Sequence, residues 1–150
     1  GRTEAGDVQV MSAGKGIRHS EYNLEDSATQ IFQIWILPTT TGLDPAWGTR
    51  PFPKDSRAGR FVPLASGFAG DGEALPIRTD ARVLGASLKA GESVTYRFGP
   101  GRKGYLVPAM GAVEIDGLRI DTRDGAAIRD AGEMVVKALA DSEIVLVDAA

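Results

Sequence analysis

Apolar residues in this chain cluster in short runs separated by glycine, proline and aspartate, and no stretch repeats at helical spacing. The clearest run is Ile31-Phe32-Gln33-Ile34-Trp35-Ile36-Leu37, closed by Pro38, with aromatic and β-branched residues on both faces. It predicts a strand buried on both sides. Residues 39 to 60 open with three threonines, are rich in proline and charge, and hold few apolar side chains, as a surface linker between domains does. Within them we expect at most one short helical turn, near Asp55 to Arg57.

From Arg60 onward the pattern predicts strands at Phe61 to Leu64, Val83 to Leu88, Ser93 to Phe98, Gly104 to Pro108, Ala112 to Ile115, Leu118 to Ile120, Ala126 to Ile128, Met134 to Ala138 and Glu143 to Val147. Asp116-Gly117 joins two of them as a two-residue hairpin turn, because both residues tolerate positive φ. Short, evenly spaced strands of this kind build a sandwich or barrel. The chain therefore divides into residues 1–38, a linker at 39–60 and an all-β domain at 61–150.

Charge and composition narrow the partners. A net charge of −3 and a pI near 5.2 argue against nucleic acid, which needs clustered Lys and Arg to neutralise phosphates. The absence of cysteine excludes a disulfide framework and thiolate ligation, and fits a reducing compartment. No apolar run approaches the roughly 20 residues that span a bilayer, and the first residues lack a signal peptide's apolar core. A cytoplasmic protein with no membrane partner is the expectation.

Candidate chemistry centres on the only histidine. If residues 17 to 22 are extended, His19 and Glu21 project from one face and Ser20 from the other. An imidazole and a carboxylate converging in a sheet interior suit a first-row divalent metal. On pattern alone such a pair is more often a surface or hydrogen-bonded pair than a metal site, and two ligands do not make a tight site. Ser20 and His19 face opposite ways, so no activated nucleophile follows from their adjacency. Gly14-Lys15-Gly16 lacks the hydroxyl residue of a P-loop and reads as a flexible turn. Lys15 and Arg18 are solvated charges or a lure for an anionic substrate. Gln33, polar inside a buried run, needs a hydrogen-bond partner. Gln9 and Met11 share a face if their segment is a strand, and line a cavity or pack a core. The aspartates of the 61–150 region match no calcium loop, and turn chemistry explains them.

The stretch Gly6-Asp7-Val8-Gln9-Val10-Met11-Ser12-Ala13-Gly14-Lys15-Gly16-Ile17-Arg18-His19-Ser20-Glu21-Tyr22-Asn23, followed by Phe32-Gln33-Ile34-Trp35-Ile36-Leu37-Pro38, resembles the second motif of the cupin superfamily as it occurs in the pirin family. Gly42-Leu43-Asp44-Pro45, Trp47, Arg50 and Phe52 extend the resemblance, as does Thr122-Arg123-Asp124-Gly125-Ala126-Ala127-Ile128 near the end. It is closest to the bacterial pirin-like quercetinases. The resemblance implies an all-β bicupin, of which this chain is the C-terminal part: the last strands of a first barrel and a complete, metal-free second barrel.

Pirins hold one metal with three histidines and a glutamate. By position His19 is the third histidine and Glu21 the glutamate, while the His-x-His motif that supplies the first two is absent from these 150 residues. The chain thus reads as a fragment with two ligands missing, inactive alone, whose exposed strand edges call for N-terminal strands or a protein partner. The implied cofactor is one divalent metal, iron first, with nickel, copper, manganese or zinc as alternatives. The implied activity of the intact protein is that of a quercetin 2,3-dioxygenase, opening a flavonol ring with O₂ and releasing carbon monoxide. In it Glu21 is either a permanent ligand or a general base. The alternative is a non-enzymatic, metal-dependent regulatory or interaction module.

Overall fold

The computed structural model describes residues 2–150. Its elements are β1 (Asp7–Ser12), β2 (Ala46–Pro51), a 3₁₀ turn (Lys54–Arg57), β3 (Val62–Ser66), β4 (Leu75–Pro76), β5 (Ala81–Leu88), β6 (Ser93–Arg97), β7 (Lys103–Met110), β8 (Val113–Ile115), β9 (Leu118–Ile120), β10 (Ala126–Ile128), β11 (Glu133–Ala138) and β12 (Ser142–Ala149). They form a six-stranded sheet ordered β10-β7-β12-β5-β3-β4, a four-stranded sheet ordered β6-β11-β8-β9, and a separate β1-β2 pair. The fold is all-β, as the strand pattern predicts. Among the described residues no helix is long and apolar enough to cross a membrane.

Strict alternation places the core. In β12, Ser142, Ile144, Leu146 and Asp148 turn inward while their neighbours are half-buried. Ile144 and Leu146 join Leu84, Ala86, Leu88 and Leu106 from the large sheet, against Val94, Val113, Val136 and Ala138 from the small one. Each fully buried aliphatic side chain here contributes about 1.5–3 kcal/mol of transfer free energy. Phe61, Tyr96 and Phe98 stack edge to face across one end, with centroids 5.5 and 4.9 Å apart. Gly104 makes room for them, since a Cβ there would stand 2.6 Å from the Phe98 ring. Pro108 has no N–H for the ladder, and it pairs with Ile144 where the β7–β12 register shifts.

A second core lies on the other face of the six-stranded sheet. Phe52, Leu64, Ala65, Leu75 and Val83 pack there with Val8, Val10 and Ile36. The β1-β2 pair thus rides on the outer face of the large sheet, and β5 is buried on both faces as a result.

Strands β3 and β5 to β12 stand where the pattern predicts them, and Asp116-Gly117 is a hairpin turn with φ of 50° and 78°. Three expectations need correction. Residues 31–37 are not a strand: Trp35 and Leu37 are nearly nine-tenths exposed, and only Ile36 is half-buried. β-Propensity becomes a strand only where a neighbour takes the backbone hydrogen bonds, and no described segment pairs with this one. Residues 17–22 are likewise irregular. The segment read as a linker contains β2, in full antiparallel register with β1 from Asp7↔Pro51 to Ser12↔Ala46, as well as the expected short turn. Pro45, Pro51 and Pro53 masked that strand, because the ends of a two-stranded edge ribbon tolerate proline.

Near one end of the large sheet runs a line of ion pairs. Arg82 Nε donates to Asp71 at 2.6 Å, and the Ser66 hydroxyl donates to the same oxygen at 2.6 Å. Arg102 bridges Asp148 and Asp80 at 2.6 and 2.7 Å. Both guanidiniums lie within cation–π reach of Phe68, at 4.0 and 5.0 Å. The hydrogen bond from Arg82, then that from Ser66, hold the Asp71 carboxyl below its ordinary range against the opposing effect of burial. A depressed folded-state pKa gives stability that is complete above the ordinary carboxylate value and is lost as pH falls from there through the depressed folded-state value. Asp71→Asn is therefore expected to flatten the decline of stability below about pH 4, read as denaturation midpoint against pH.

Candidate functional site

Strand β1 delivers the chain to a tight turn at Ala13–Gly16, where Gly16 N–H donates to Ala13 C=O at 2.8 Å. Gly14 takes φ of 53°, and a Cβ there would lie 2.1 Å from the Leu43 carbonyl oxygen, so the turn demands glycine. Lys15 N–H donates to that carbonyl at 2.9 Å, and its ammonium pairs with Asp44 at 3.0 Å. Past the turn the chain carries His19 and Glu21 through an irregular, exposed stretch.

The two candidate ligands therefore do not occupy a sheet interior. Without a paired strand nothing enforces the alternation that would aim them together, and both side chains face solvent. Among the described residues no group of three or more His, Cys, Asp or Glu is close enough to hold a metal ion. The donor types, an imidazole nitrogen and a carboxylate oxygen, fit a first-row divalent ion, but two donors do not close a site. Arg18 is exposed, and so is Gln33, which sits in no buried run and needs no internal partner. Gln9 and Met11 are half-buried on the face of β1 opposite Val8 and Val10, with Met11 beside Trp47 in register. A cavity of about 70 Å³ lies between β1-β2 and β4, lined by Val10, Trp47 and Leu75 among others. An open groove of about 450 Å³ runs along Thr39, Phe68, Ile77, Arg78 and Asp80. Neither includes His19 or Glu21.

One residue that sequence reasoning passed over, Arg78, joins this region to the large sheet. Its guanidinium donates to the Asp44 carbonyl at 2.6 Å, and its own carbonyl accepts from Thr39 N–H at 3.0 Å. No local signal marks it, since its partners lie more than thirty residues away in sequence.

Comparison with known proteins agrees with the sandwich and with the turn-bearing segment. The quercetinase C-terminal cupin domain matches residues 64–149, the whole of the two-sheet sandwich from Leu64 onward, and the pirin domain matches residues 1–36. The chain belongs to the pirin family. A pirin-like protein of Caulobacter vibrioides is 65% identical over all 150 residues, which span 65% of its length. A quercetin 2,3-dioxygenase of Escherichia coli K12 is 37% identical over 96% of the chain, spanning 61% of that enzyme. The crystal structure of the E. coli pirin YhhW in complex with nickel(II) superposes with a TM-score of 0.83 at 32% identity, over 96% of this chain and 61% of that one. The chain thus spans under two thirds of the length of these pirin-family relatives. Among the described residues the pirin match covers β1, the Gly14 turn, His19 and Glu21, whereas β2 and the 3₁₀ turn fall between the two matched stretches.

Proposed function

We propose that the intact protein is a metal-dependent dioxygenase of the quercetinase type, acting with O₂ on a flavonol or a related small phenolic. The carrying observation is the 37% identity to a quercetin 2,3-dioxygenase across nearly the whole chain, the segment with His19 and Glu21 included. In this reading residues 1–38 belong to an N-terminal cupin and residues 61–150 form a second cupin that holds no metal. The second cupin contains no histidine and no cysteine, and its interior is filled by Leu, Val and aromatic side chains.

His19 and Glu21 are two of the ligands of one divalent metal, iron first, with nickel supported by the YhhW complex. The remaining donors come from outside the described residues. The metal would supply polarisation of a bound hydroxyl and a common point of approach for O₂. Glu21 would accept the substrate's hydroxyl proton at its carboxylate, or hold the metal.

The test uses the full-length protein loaded anaerobically with Fe(II) or Ni(II). Metal stoichiometry, quercetin consumption and carbon monoxide release are measured together. One metal per chain with turnover is expected. Glu21→Gln that keeps its metal and loses about 10²–10⁴ in rate identifies a base; loss of both metal and rate identifies a ligand. A full-length protein that takes up no metal sinks the proposal. Metal uptake without flavonol turnover favours the alternative, a metal-dependent interaction module.

A further inference from the structure

We propose that Arg78, in the second cupin, is a positioning residue for the metal-binding segment, acting through a relay of polar contacts that ends at Lys15, four residues before His19. This rests on the reading of His19 and Glu21 as ligands. The relay starts on the large sheet, where Ile77 N–H donates to Ser66 C=O at 3.0 Å and so anchors Arg78 beside β3. From there the Arg78 guanidinium grips the Asp44 carbonyl at 2.6 Å, while the Arg78 carbonyl accepts from both the N–H and the hydroxyl of Thr39, at 3.0 and 3.3 Å. One residue thus holds both ends of the excursion 39–44. Leu43 and Asp44 in turn hold Lys15, through its N–H at 2.9 Å and its ammonium at 3.0 Å.

Two features single this path out from ordinary surface pairing. Lys15–Asp44 by itself is an exposed ion pair that contributes little. Yet Gly14 is pressed so closely on the Leu43 carbonyl that no side chain fits between them, so the turn and residues 43–44 shift together or not at all. Arg78 is half-buried, and its donor engages a backbone carbonyl rather than a mobile side chain. Between the turn and His19 lie only Ile17 and Arg18, about 10 Å of chain at full extension, so the position of the turn bounds how far the imidazole ranges. Direct hydrogen-bond partners of metal ligands typically change metal affinity 10–100-fold, and Arg78, acting one relay further out, is expected at the low end of that range.

The experiment compares full-length wild type with Arg78→Ala and Arg78→Lys by site-resolved hydrogen exchange and by Ni(II) competition against a chelator. Thermal unfolding serves as the control for general damage. In Arg78→Ala we expect faster exchange at the Lys15 and Gly16 amides, which the turn now protects, and roughly ten-fold weaker Ni(II) binding. The unfolding midpoint of the second cupin should stay near the wild-type value. Arg78→Lys, which keeps one donor toward Asp44, should restore most of the protection. Unchanged exchange at Lys15 and Gly16 in the alanine variant overturns the relay, and so does a uniform rise in exchange through the whole second cupin. Wild type that binds no Ni(II) overturns the ligand reading, whereas the exchange comparison still decides whether Arg78 holds the turn.

Discussion

Asp148→Ala is expected to destabilise the C-terminal cupin domain by about 3–5 kcal/mol, the usual consequence of removing one partner from a buried ion pair. Asp148 is 1% exposed, on the inward face of β12. Its carboxylate accepts from Arg102 Nε at 2.6 Å and from the Tyr96 hydroxyl at 2.6 Å. Take it away and the half-buried Tyr96 phenol loses its acceptor, while the Arg102 guanidinium loses one of its two carboxylate partners. Burial first, and then the hydrogen bond to Asp148, push the Tyr96 phenol well above its ordinary value, so it stays a donor throughout the range in which the protein is handled. Arg102 keeps Asp80 as a second partner, which places the expected loss toward the lower end. Asp148→Asn, which preserves shape and one acceptor, should lose less. Chemical denaturation of the three proteins at neutral pH gives the comparison, and equal midpoints would show that the network adds nothing net.

Leu106→Ala should cost a comparable amount, about 2–5 kcal/mol, for a different reason. Leu106 is fully buried in β7, paired with Leu146 on β12 and Ala126 on β10, so its inward side chain meets the small sheet with strands on both flanks. Neither flank collapses readily to fill a void between two hydrogen-bonded neighbours. The removed methyl groups therefore leave a cavity, and its cost adds to the lost transfer free energy. A midpoint shift of under 1 kcal/mol would mean that the sandwich relaxes around the hole. Because the two sites lie on the same interior face, the double variant reports whether their losses add.

The contrast between these positions shows what could be read from the chain. Leu106 falls within Gly104 to Pro108, a run whose composition and bounding turns read as a strand, so its strand state was legible. The same holds for Val136, Ile144 and for the Asp116-Gly117 turn, whose backbone needs residues tolerant of positive φ. Asp148 occupies the same beat of β12 as Leu146, but nothing near it in sequence says that Arg102 and Tyr96 wait across the fold; those partners are about fifty residues away. Strand β2 was missed because prolines at its margin outweighed a weak apolar signal, and pairing with β1 settled its state.

The candidate site divides in the same way. The types and spacing of His19 and Glu21, and the turn glycines before them, are properties of the chain, and they were enough to reach the pirin family. Whether the two side chains point at one place is not local. It requires a strand on either side to impose alternation, and in this structure residues 17–22 and 31–37 have none, so the donors and Trp35 face solvent. The sequence by itself determined an all-β protein, most of its strands and the donor types of a candidate metal site. Tertiary structure alone decided which outward residues became a second core, which charges were buried together, and that Arg78 ties the turn before His19 to the far sheet. The physical reason is that periodicity and turn chemistry act within a few residues, whereas pairing, burial and ion-pair partners depend on segments that folding brings together from across the chain.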